Sequence, residues 1–324
     1  MTPEEWTTRR SKLRQRLQAW CGDLPEGGPL NVAEVWRREW SSHTEVKLTY
    51  EGEPGEQIPA YLLLPRDAPD RLLPAVLAAH QCAWQCDVGK DQVVGKRADL
   101  RDQAYGLELV REGFVVLAPD ANKVGERCDP VLREPWQTAV DLGNSQHACC
   151  TAPGGSWGPI RWKRVFDAMR GVDLLSQHER VDAARIGMIG HSLGADTILW
   201  AMPLDERIRA AAISGGGLML EWLPYGLPYA DILTLLAPRP FFEVTGYHDY
   251  TNCDHDDSDL SVGERMTPKR AAHATAQEVY TLLGAGDRLG RFEFDGGHSF
   301  PQQGREAAYA WLRRWLMGQK AATT

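Results

Sequence analysis

Polar and apolar residues alternate in the first part of the chain in the manner of a surface strand. Residues 44–50 (TEVKLTY) alternate with a period of two, and residues 58–64 (IPAYLLL) follow a turn that contains Gly52 and Gly55. A period of two is typical of a strand that has one face on the core and the other in water. The pattern predicts an antiparallel hairpin at one edge of a sheet.

From residue 74 onward the pattern changes to short, continuous apolar runs separated by helical stretches. Such runs are typical of parallel strands that helices cover on both faces. The predicted strands are 75–79, 114–118, 186–189, 208–213, 240–245 and 291–294. The predicted helices are 97–112, 160–178, 194–201, 268–283 and 304–317. The predicted fold class is α/β, with a mostly parallel, doubly wound sheet and antiparallel strands at its N-terminal edge.

The N-terminal residues predict a helix outside this sheet. Residues 3–20 follow Thr2, and the sequence Thr2-Pro-Glu-Glu5 is the pattern of a capping box with proline at the first helical position. The apolar side of this helix carries Trp6, Leu13, Leu17 and Trp20. Farther along, no linker or internal repeat divides the chain. We therefore expect an N-terminal helical extension over residues 1–40, packed on one α/β domain over residues 41–318.

The charge of the chain argues against a polyanionic partner. Lysine and arginine number 36 against 44 aspartate and glutamate residues, which gives the 324-residue chain a net charge of -8. Nucleic-acid-binding proteins carry basic patches, and no such stripe stands out here, so we expect no nucleic acid partner. No apolar run approaches the ~20 residues that a membrane-spanning helix needs, so we expect no membrane partner either.

The seven cysteines are expected to be free thiols, because their number is odd and the paired C-x-x-C spacing of a zinc site is missing. The first residues lack the apolar core of a signal peptide. We therefore expect a cytoplasmic protein, since thiols stay reduced in that compartment.

A pentapeptide at residues 190–194, G-H-S-L-G, carries the first candidate for chemistry. It lies between the predicted strand 186–189 and a run of small and apolar residues that predicts a helix. In a G-x-S-x-G of this kind the serine occupies a sharp strand-to-helix turn, and its hydroxyl projects from the sheet. With 31 glycines the motif could arise by chance. The strand and helix around it favour a nucleophile elbow, with Ser192 as the nucleophile.

A serine hydroxyl becomes a nucleophile only when a base takes its proton and an acid orients that base. His298 follows the last predicted strand at a Gly-Gly bend, and Asp249 comes shortly after the predicted strand 240–245. The order Ser192, Asp249, His298 therefore predicts a catalytic triad of the kind that serine hydrolases use.

Other acids compete with Asp249 for the role of the orienting acid. Glu243 lies in the middle of a predicted strand, where a buried and paired carboxylate is expected. The other four occupy the following loop, which lacks the glycine and the terminal glutamate of a calcium loop, so no metal is predicted there: Asp254, Asp256, Asp257 and Asp259.

Acyl transfer also needs amide donors aimed at the developing oxyanion. The backbone N–H of Leu193 and that of Cys82, in the turn after the first central strand, are the predicted donors. The long segment 120–158 follows a strand's carboxyl end and is expected to wall the pocket. Tentative pocket residues are Gln81, Trp84, Trp157 and His191.

Together these residues resemble the α/β-hydrolase superfamily, and within it the dienelactone-hydrolase-like and acetyl-xylan-esterase-like branch, over about residues 55 to 317. Besides the elbow, the resemblance rests on His80-Gln81 with Gly89-Lys90-Asp91, on Ala118-Pro119-Asp120 with Gly125-Glu126-Arg127, on residues 205–210 before Ser214-Gly-Gly, on Ala237-Pro238-Arg239-Pro240, and on Gly296-Gly297-His298-Ser299-Phe300. The resemblance implies an esterase that acts on a small-molecule ester through Ser192, Asp249 and His298 without a cofactor.

The chain departs from the branch in two places. Many hydrolases have glycine where this chain has Gln81, so the oxyanion loop can differ in shape. Dienelactone hydrolase has cysteine at the elbow, whereas Ser192 favours a carboxylesterase. A lactone hydrolase, a peptidase or amidase related to the prolyl oligopeptidases, and a catalytically silent binding protein stay open as alternatives.

Overall fold

The computed structural model describes residues 1–21, 24–66, 71–82, 87–128, 158–217, 227–252 and 260–319. The strands are β1 (Ala33–Glu39), β2 (His43–Glu51), β3 (Gln57–Pro65), β4 (Leu73–Ala79), β5 (Val115–Pro119), β6 (Val181–His191), β7 (Ile208–Ser214), β8 (Phe241–Gly246) and β9 (Leu289–Phe294). The helices are α1 (Pro3–Cys21), α2 (Tyr105–Arg111), α3 (Gly158–Gln177), α4 (Leu193–Leu204), α5 (Tyr229–Leu236), α6 (Val262–Leu282) and α7 (Gln302–Leu312).

Within the described residues, nine strands form one sheet in the order β1-β2-β3-β5-β4-β6-β7-β8-β9. The pairs β1/β2, β2/β3 and β3/β5 are antiparallel. All the following pairs, from β4/β5 to β8/β9, are parallel. The predicted α/β class is confirmed, as are the six parallel strands and the antiparallel hairpin before them. The hairpin does not form the edge of the sheet as predicted, because β1 pairs outside β2.

Apolar layers cover both faces of the sheet, which explains the continuous apolar runs. Successive residues of β4 point to opposite faces: Ala75 and Leu77 join one layer, and Val76 and Ala78 join the other. The first layer also contains side chains of α3, α4, α5 and α6, and the second contains those of α2 and α7. The sheet is therefore doubly wound, and the carboxyl ends of its parallel strands lie along one edge.

The N-terminal helix α1 packs on the main body. Trp6 and Leu17 are buried in the same apolar layer as α3 to α6. Arg9 pairs with Asp231 at 2.6 Å on the first turn of α5. Whether residues 1–40 form a separate unit stays a prediction, and the sheet itself begins inside that range.

Strand β1 has no counterpart among the predicted strands. Six of its seven residues are exposed, and Trp36 is the half-buried exception. A strand at the edge of a sheet with both faces in water has no alternation of polar and apolar positions. Its position in the sheet is set by backbone pairing with β2, and that pairing leaves no hydrophobic pattern in the sequence.

Helix α6 begins six residues before the predicted start at 268. Its cap is Ser261, whose hydroxyl accepts a hydrogen bond from the backbone N–H of Glu264, while the Glu264 carboxylate accepts one from the backbone N–H of Ser261 at 2.9 Å. None of the helices in the described part of the chain is long and apolar enough to cross a membrane.

Candidate active site

Ser192 occupies the turn between β6 and α4. Its backbone has φ 54° and ψ −114°, in a region that non-glycine residues avoid. The Ser192 N–H donates to the carbonyl of Ser214 at 2.9 Å, which ties the turn to the end of β7. A Cβ atom at Gly194 would lie 2.1 Å from the carbonyl oxygen of Ala79, so only glycine fits there. The strand, strained turn and helix that the pentapeptide predicts are therefore all present.

His298 and Asp249 meet at the same edge of the sheet. The imidazole Nδ1 lies 3.0 Å from Oδ1 and 3.1 Å from Oδ2 of the carboxylate. Asp249 follows β8 and His298 follows β9, and these strands are parallel neighbours. Because a carboxylate only accepts, Nδ1 carries the proton and Nε2 has the free lone pair. Among the described groups, that buried Nε2 has no hydrogen-bond partner.

The carboxylate of Asp249 is ionised in this environment. Burial would raise its pKa, but the hydrogen bond and charge of His298, the charge of Lys269 and the backbone N–H of Thr251 together hold the pKa well below its usual range. The Thr251 N–H donates to Oδ1 at 2.8 Å and the Thr251 hydroxyl at 2.7 Å. These fixed donors set the direction in which the carboxylate faces the imidazole.

Tyr250 joins the site although no feature of the sequence predicts it. Its ring centroid lies 4.5 Å from that of His298, and the side chain of Ser192 lies close enough to its hydroxyl to act on the pKa of the phenol. Burial raises the pKa of this phenol, so it stays protonated at neutral pH. Since Tyr250 contacts both side chains, Ser192 and His298 are neighbours at the sheet edge. The position of Tyr250 directly after Asp249 could have suggested it, but an aromatic residue in a loop is not a specific signal.

His191 lies behind the His298 imidazole. The two ring centroids are 4.6 Å apart, and His191 Nδ1 donates to the Ser214 carbonyl at 3.0 Å. Burial, and then the nearby charge of His298, lowers the pKa of His191 to about 3. A Cβ atom at Gly215 would lie 2.8 Å from His298 and 2.9 Å from His191, so this glycine leaves room for both rings. The burial of His191 favours a supporting role over the predicted contact with substrate.

A buried charge cluster lies beneath the acid. Glu243 is 1% exposed, and its carboxylate accepts from Lys269 Nζ at 2.8 Å and faces His273 Nε2 at 2.6 Å. Burial would raise the pKa of Glu243, but the charge of Lys269 and the hydrogen bond of His273 lower it to about 2. The expectation of a buried and paired carboxylate at Glu243 is confirmed. Lys269 also donates to the Gly216 carbonyl at 2.6 Å.

The two predicted oxyanion donors belong to neighbouring segments. Cys82 and Val124 form a small buried cluster, and Leu193 packs against it. Cys82 is 8% exposed, and Gln81 beside it is half-buried. The loop after β4 therefore lies against the start of α4, as two amide donors of one oxyanion hole require.

Several predicted residues lie outside the described part of the chain. They comprise the aromatic residues and the loop acids: Trp84, Trp157, Asp254, Asp256, Asp257 and Asp259. Most of the segment 120–158 lies outside it as well. Among the residues that are described, no three His, Cys, Asp or Glu side chains are grouped so as to hold a metal ion.

The chain is similar in sequence to a known bacterial protein. No family model matches the chain. YtaP of Bacillus subtilis (strain 168), assigned to the hydrolases by inference, is 25% identical over 328 residues, which cover 95% of this chain and 100% of YtaP.

Solved structures of esterases have the same fold. A Bacteroides fragilis protein assigned by inference as an acetyl xylan esterase has a TM-score of 0.68 at 16% identity, over 91% of this chain and 76% of that protein. A glucuronoyl esterase from Solibacter usitatus also has a TM-score of 0.68 at 16% identity, over 97% of this chain and 93% of that enzyme. The fold that the resemblance implies is confirmed: the chain has the α/β-hydrolase fold and is similar in structure to these acetyl xylan and glucuronoyl esterases.

Proposed function

We propose that the protein hydrolyses carboxylic esters through an acyl-enzyme formed on Ser192. The observation that carries the proposal is the hydrogen-bonded pair of Asp249 and His298, held beside the strained elbow of Ser192 at one sheet edge. Acid, base and nucleophile come from three strand ends in the chain order that this fold uses for serine hydrolases. Asp249 and His298 are hydrogen-bonded to each other, and the proposed reaction requires the Ser192 hydroxyl to reach the unpartnered Nε2 of His298.

In the first half of the reaction, His298 Nε2 takes the Ser192 proton as Oγ attacks the ester carbonyl carbon. The carbonyl π electrons move to oxygen, and the backbone N–H groups of Cys82 and Leu193 bind that oxyanion. The intermediate then collapses, the C–O bond to the alcohol breaks, and His298 gives its proton to the departing oxygen. Asp249 stabilises the imidazolium in both steps and keeps the proton on Nδ1.

In the second half, a water molecule replaces the alcohol. His298 takes a proton from this water, whose oxygen attacks the acyl carbon. The bond from that carbon to Ser192 Oγ breaks, and the proton returns to the serine. The products are a carboxylic acid and free enzyme, and no redox partner or cofactor is required by this balance.

Replacement of the nucleophile tests the proposal directly. Ser192→Ala is expected to lower kcat for p-nitrophenyl acetate by about 10⁴-fold or more, because the covalent step is lost. A fluorophosphonate probe should label the wild-type protein and not this variant. Ser176→Ala is a matched control, since that hydroxyl only donates to helix carbonyls in α3. Unchanged hydrolysis in Ser192→Ala would contradict the assignment.

The substrate class is proposed from the similar structures. The names of two of them mention xylan acetyl and glucuronoyl esters, and on that basis we propose a short-acyl or carbohydrate ester. A panel of p-nitrophenyl acetate, an acetylated xylose, a methyl glucuronate, a lactone and a peptide anilide separates the alternatives. Turnover of the anilide at the highest kcat/KM would favour the peptidase, and turnover of the lactone would favour the lactone hydrolase.

A further inference from the structure

Two side chains make hydrogen bonds to the carbonyl of the peptide between Gln81 and Cys82. Its carbonyl, on Gln81, lies 2.7 Å from Nδ1 of His80 and accepts from Nε2 of Gln92 at 3.0 Å. A carbonyl oxygen has two lone pairs, so both of its acceptor positions are filled. This carbonyl cannot turn without losing one of these hydrogen bonds.

The direction of the Gln81 carbonyl fixes the direction of the Cys82 N–H. The two groups belong to one planar peptide, and this bond is trans. In a trans peptide the C=O and N–H point in opposite directions. Donors that hold the carbonyl on one side therefore fix the amide N–H on the other side of the peptide, in a loop whose Cys82 packs in one cluster with Leu193.

The neighbouring groups determine which atom of His80 and which atom of Gln92 donates the hydrogen bond. His80 is 2% exposed, and its Nε2 accepts from the backbone N–H of Ala121 at 2.9 Å, so the proton must be on Nδ1. The Gln92 amide faces two carbonyls, that of Gln81 and that of Gly89, both at 3.0 Å. Only its nitrogen can face two acceptors. Each side chain is therefore a donor toward the peptide.

A buried ion pair joins the segment that contains Gln92 to the segment whose backbone orients His80. Lys90 Nζ lies 2.5 Å from the Asp120 carboxylate, which also accepts from the Lys90 backbone N–H at 2.8 Å. Lys90 and Asp120 are 2% and 1% exposed. Gln92 lies two residues after Lys90, and Ala121 follows Asp120 directly. The pair thus joins the segment that supplies Gln92 to the segment that orients His80.

Burial of the Gln92 side chain has a free-energy cost that packing alone does not offset. The side chain is fully buried, and within the described residues its Oε1 has no hydrogen-bond partner. An apolar side chain of the same size would avoid an unsatisfied acceptor, which is destabilising in a protein interior. Such a replacement would lose the hydrogen bonds to the Gln81 and Gly89 carbonyls, and only the first of these belongs to the peptide of Cys82.

We propose that Gln92, together with His80, is a positioning residue that aims the Cys82 N–H at the oxyanion. This inference rests on the proposed esterase function. Preorganised donors are worth most when they need no rearrangement during the reaction, and removal of one donor typically lowers kcat by about 10²–10³-fold. Loosening a donor without removing it costs less, so about 10-fold to 100-fold is expected from loss of Gln92.

The test compares Gln92→Leu with Gln103→Leu. Gln103 is also buried with an unpaired Oε1, but its side chain has no contact with the oxyanion loop among the described hydrogen bonds. Gln92→Leu should lower kcat for p-nitrophenyl acetate about 10-fold or more, with KM within about 2-fold. Affinity for a trifluoromethyl ketone, which forms a tetrahedral oxyanion on serine, should fall by the same factor as kcat/KM. Gln103→Leu should change neither quantity.

A second variant keeps the proposal testable if Gln92→Leu does not fold. In Gln92→Glu the protonated acid can donate to the Gln81 carbonyl and the ionised acid cannot. Its kcat/KM should therefore fall as pH rises through the pKa of the new carboxyl group, a titration missing from the wild-type profile. A profile that matches the wild type would overturn the positioning role.

The results also separate this inference from the proposed function. If wild-type protein hydrolyses esters and Ser192→Ala does not, while folded Gln92→Leu keeps its kcat and inhibitor affinity, only the positioning role is wrong. Equal losses in Gln92→Leu and Gln103→Leu would also overturn it, because they would indicate a general packing effect. A wild-type protein without esterase activity would contradict the proposed function, and the positioning role would fall with it.

Discussion

The two halves of the candidate site are held by different kinds of interaction. We use "acid half" for Glu243, Asp249, Lys269, His273 and His298, in which two buried carboxylates contact a lysine and two histidines. We use "amide half" for His80, Gln81, Cys82 and Gln92, in which neutral dipoles hold one peptide.

The pKa shifts in the two halves differ accordingly. In the acid half, the pKa of Asp249 and that of Glu243 are both lowered by cationic neighbours despite burial. In the amide half, burial lowers the pKa of His80, and the nearby Asp120 does not reverse this, so the ring is neutral at neutral pH.

The difference follows from what each half has to do. A base that becomes an imidazolium during the reaction needs a fixed negative charge beside it, and that charge needs cations around it to stay ionised when buried. A backbone amide never ionises, so it needs only a fixed direction. Variants in the acid half should therefore change stability strongly as well as rate, because they break buried charge pairs, whereas the effect that distinguishes variants in the amide half is on rate.

The largest expected effect is on catalysis in the acid half. Asp249→Asn should lower kcat about 10⁴-fold, because an amide can donate to His298 and stabilises neither the required tautomer nor the imidazolium. Asp295→Asn is the control, since that carboxylate is 86% exposed and lies near His248. Steady-state kinetics with p-nitrophenyl acetate measure both. A loss no greater than that of Gln92→Leu would mean that the two halves do not differ as proposed.

The next effect is on stability. Lys269→Met should lower the free energy of unfolding by about 3–5 kcal/mol, because it leaves the buried Glu243 without its cation. Arg270→Met is the control: its ion pair with Glu293 is 40% exposed on the arginine side, and it should cost at most about 1 kcal/mol. Urea unfolding followed by fluorescence gives both values. Equal losses in the two variants would remove the distinction between the buried cluster and a surface pair.

The smallest effect is a pH dependence of stability that comes from His191. Its pKa is about 3 in the folded protein, below the ordinary histidine value of 6.5, so between pH 6.5 and 5 the unfolded chain binds a proton that the folded protein does not. The free energy of unfolding should therefore fall as pH is lowered through this window, by at most about 1.4 kcal/mol per pH unit for one proton.

His191→Phe isolates this contribution. Phenylalanine keeps a ring against His298 but has no site for a proton, so the slope of unfolding free energy against pH should be smaller than in wild type by close to one proton. His80 and the acidic residues are common to both proteins and cancel in the difference. Identical slopes, measured by urea unfolding from pH 6.5 to 5, would show that folding does not lower the pKa of His191.

The sequence predicted the parts of the fold that bury apolar surface. The parallel strands were recognisable because helices cover both of their faces, and the hairpin because β2 has one face on the core. Strand β1 was missed because nearly all its side chains are in water. The predicted start of α6 at residue 268 was wrong, because the serine and glutamate that cap the helix, Ser261 and Glu264, lie earlier in the chain.

The site shows the same division. Ser192, Asp249 and His298 could be named because each follows an apolar run that predicts a strand, and parallel strands end at one edge. Tyr250, Gln92 and Lys269 could not, because their roles depend on contacts between segments distant in the chain. A buried glutamine or lysine has no periodic pattern, and only the folded neighbourhood distinguishes it from a surface residue.

For protein engineering, the close approach of α4 to the end of β4 sets a firm boundary. The backbone at Gly194 lies so near the Ala79 carbonyl that no larger residue can enter without moving the central strand and the nucleophile together. Libraries aimed at new ester preferences should leave this junction untouched and vary residues farther from it. A redesigned pocket would then inherit an intact reaction centre.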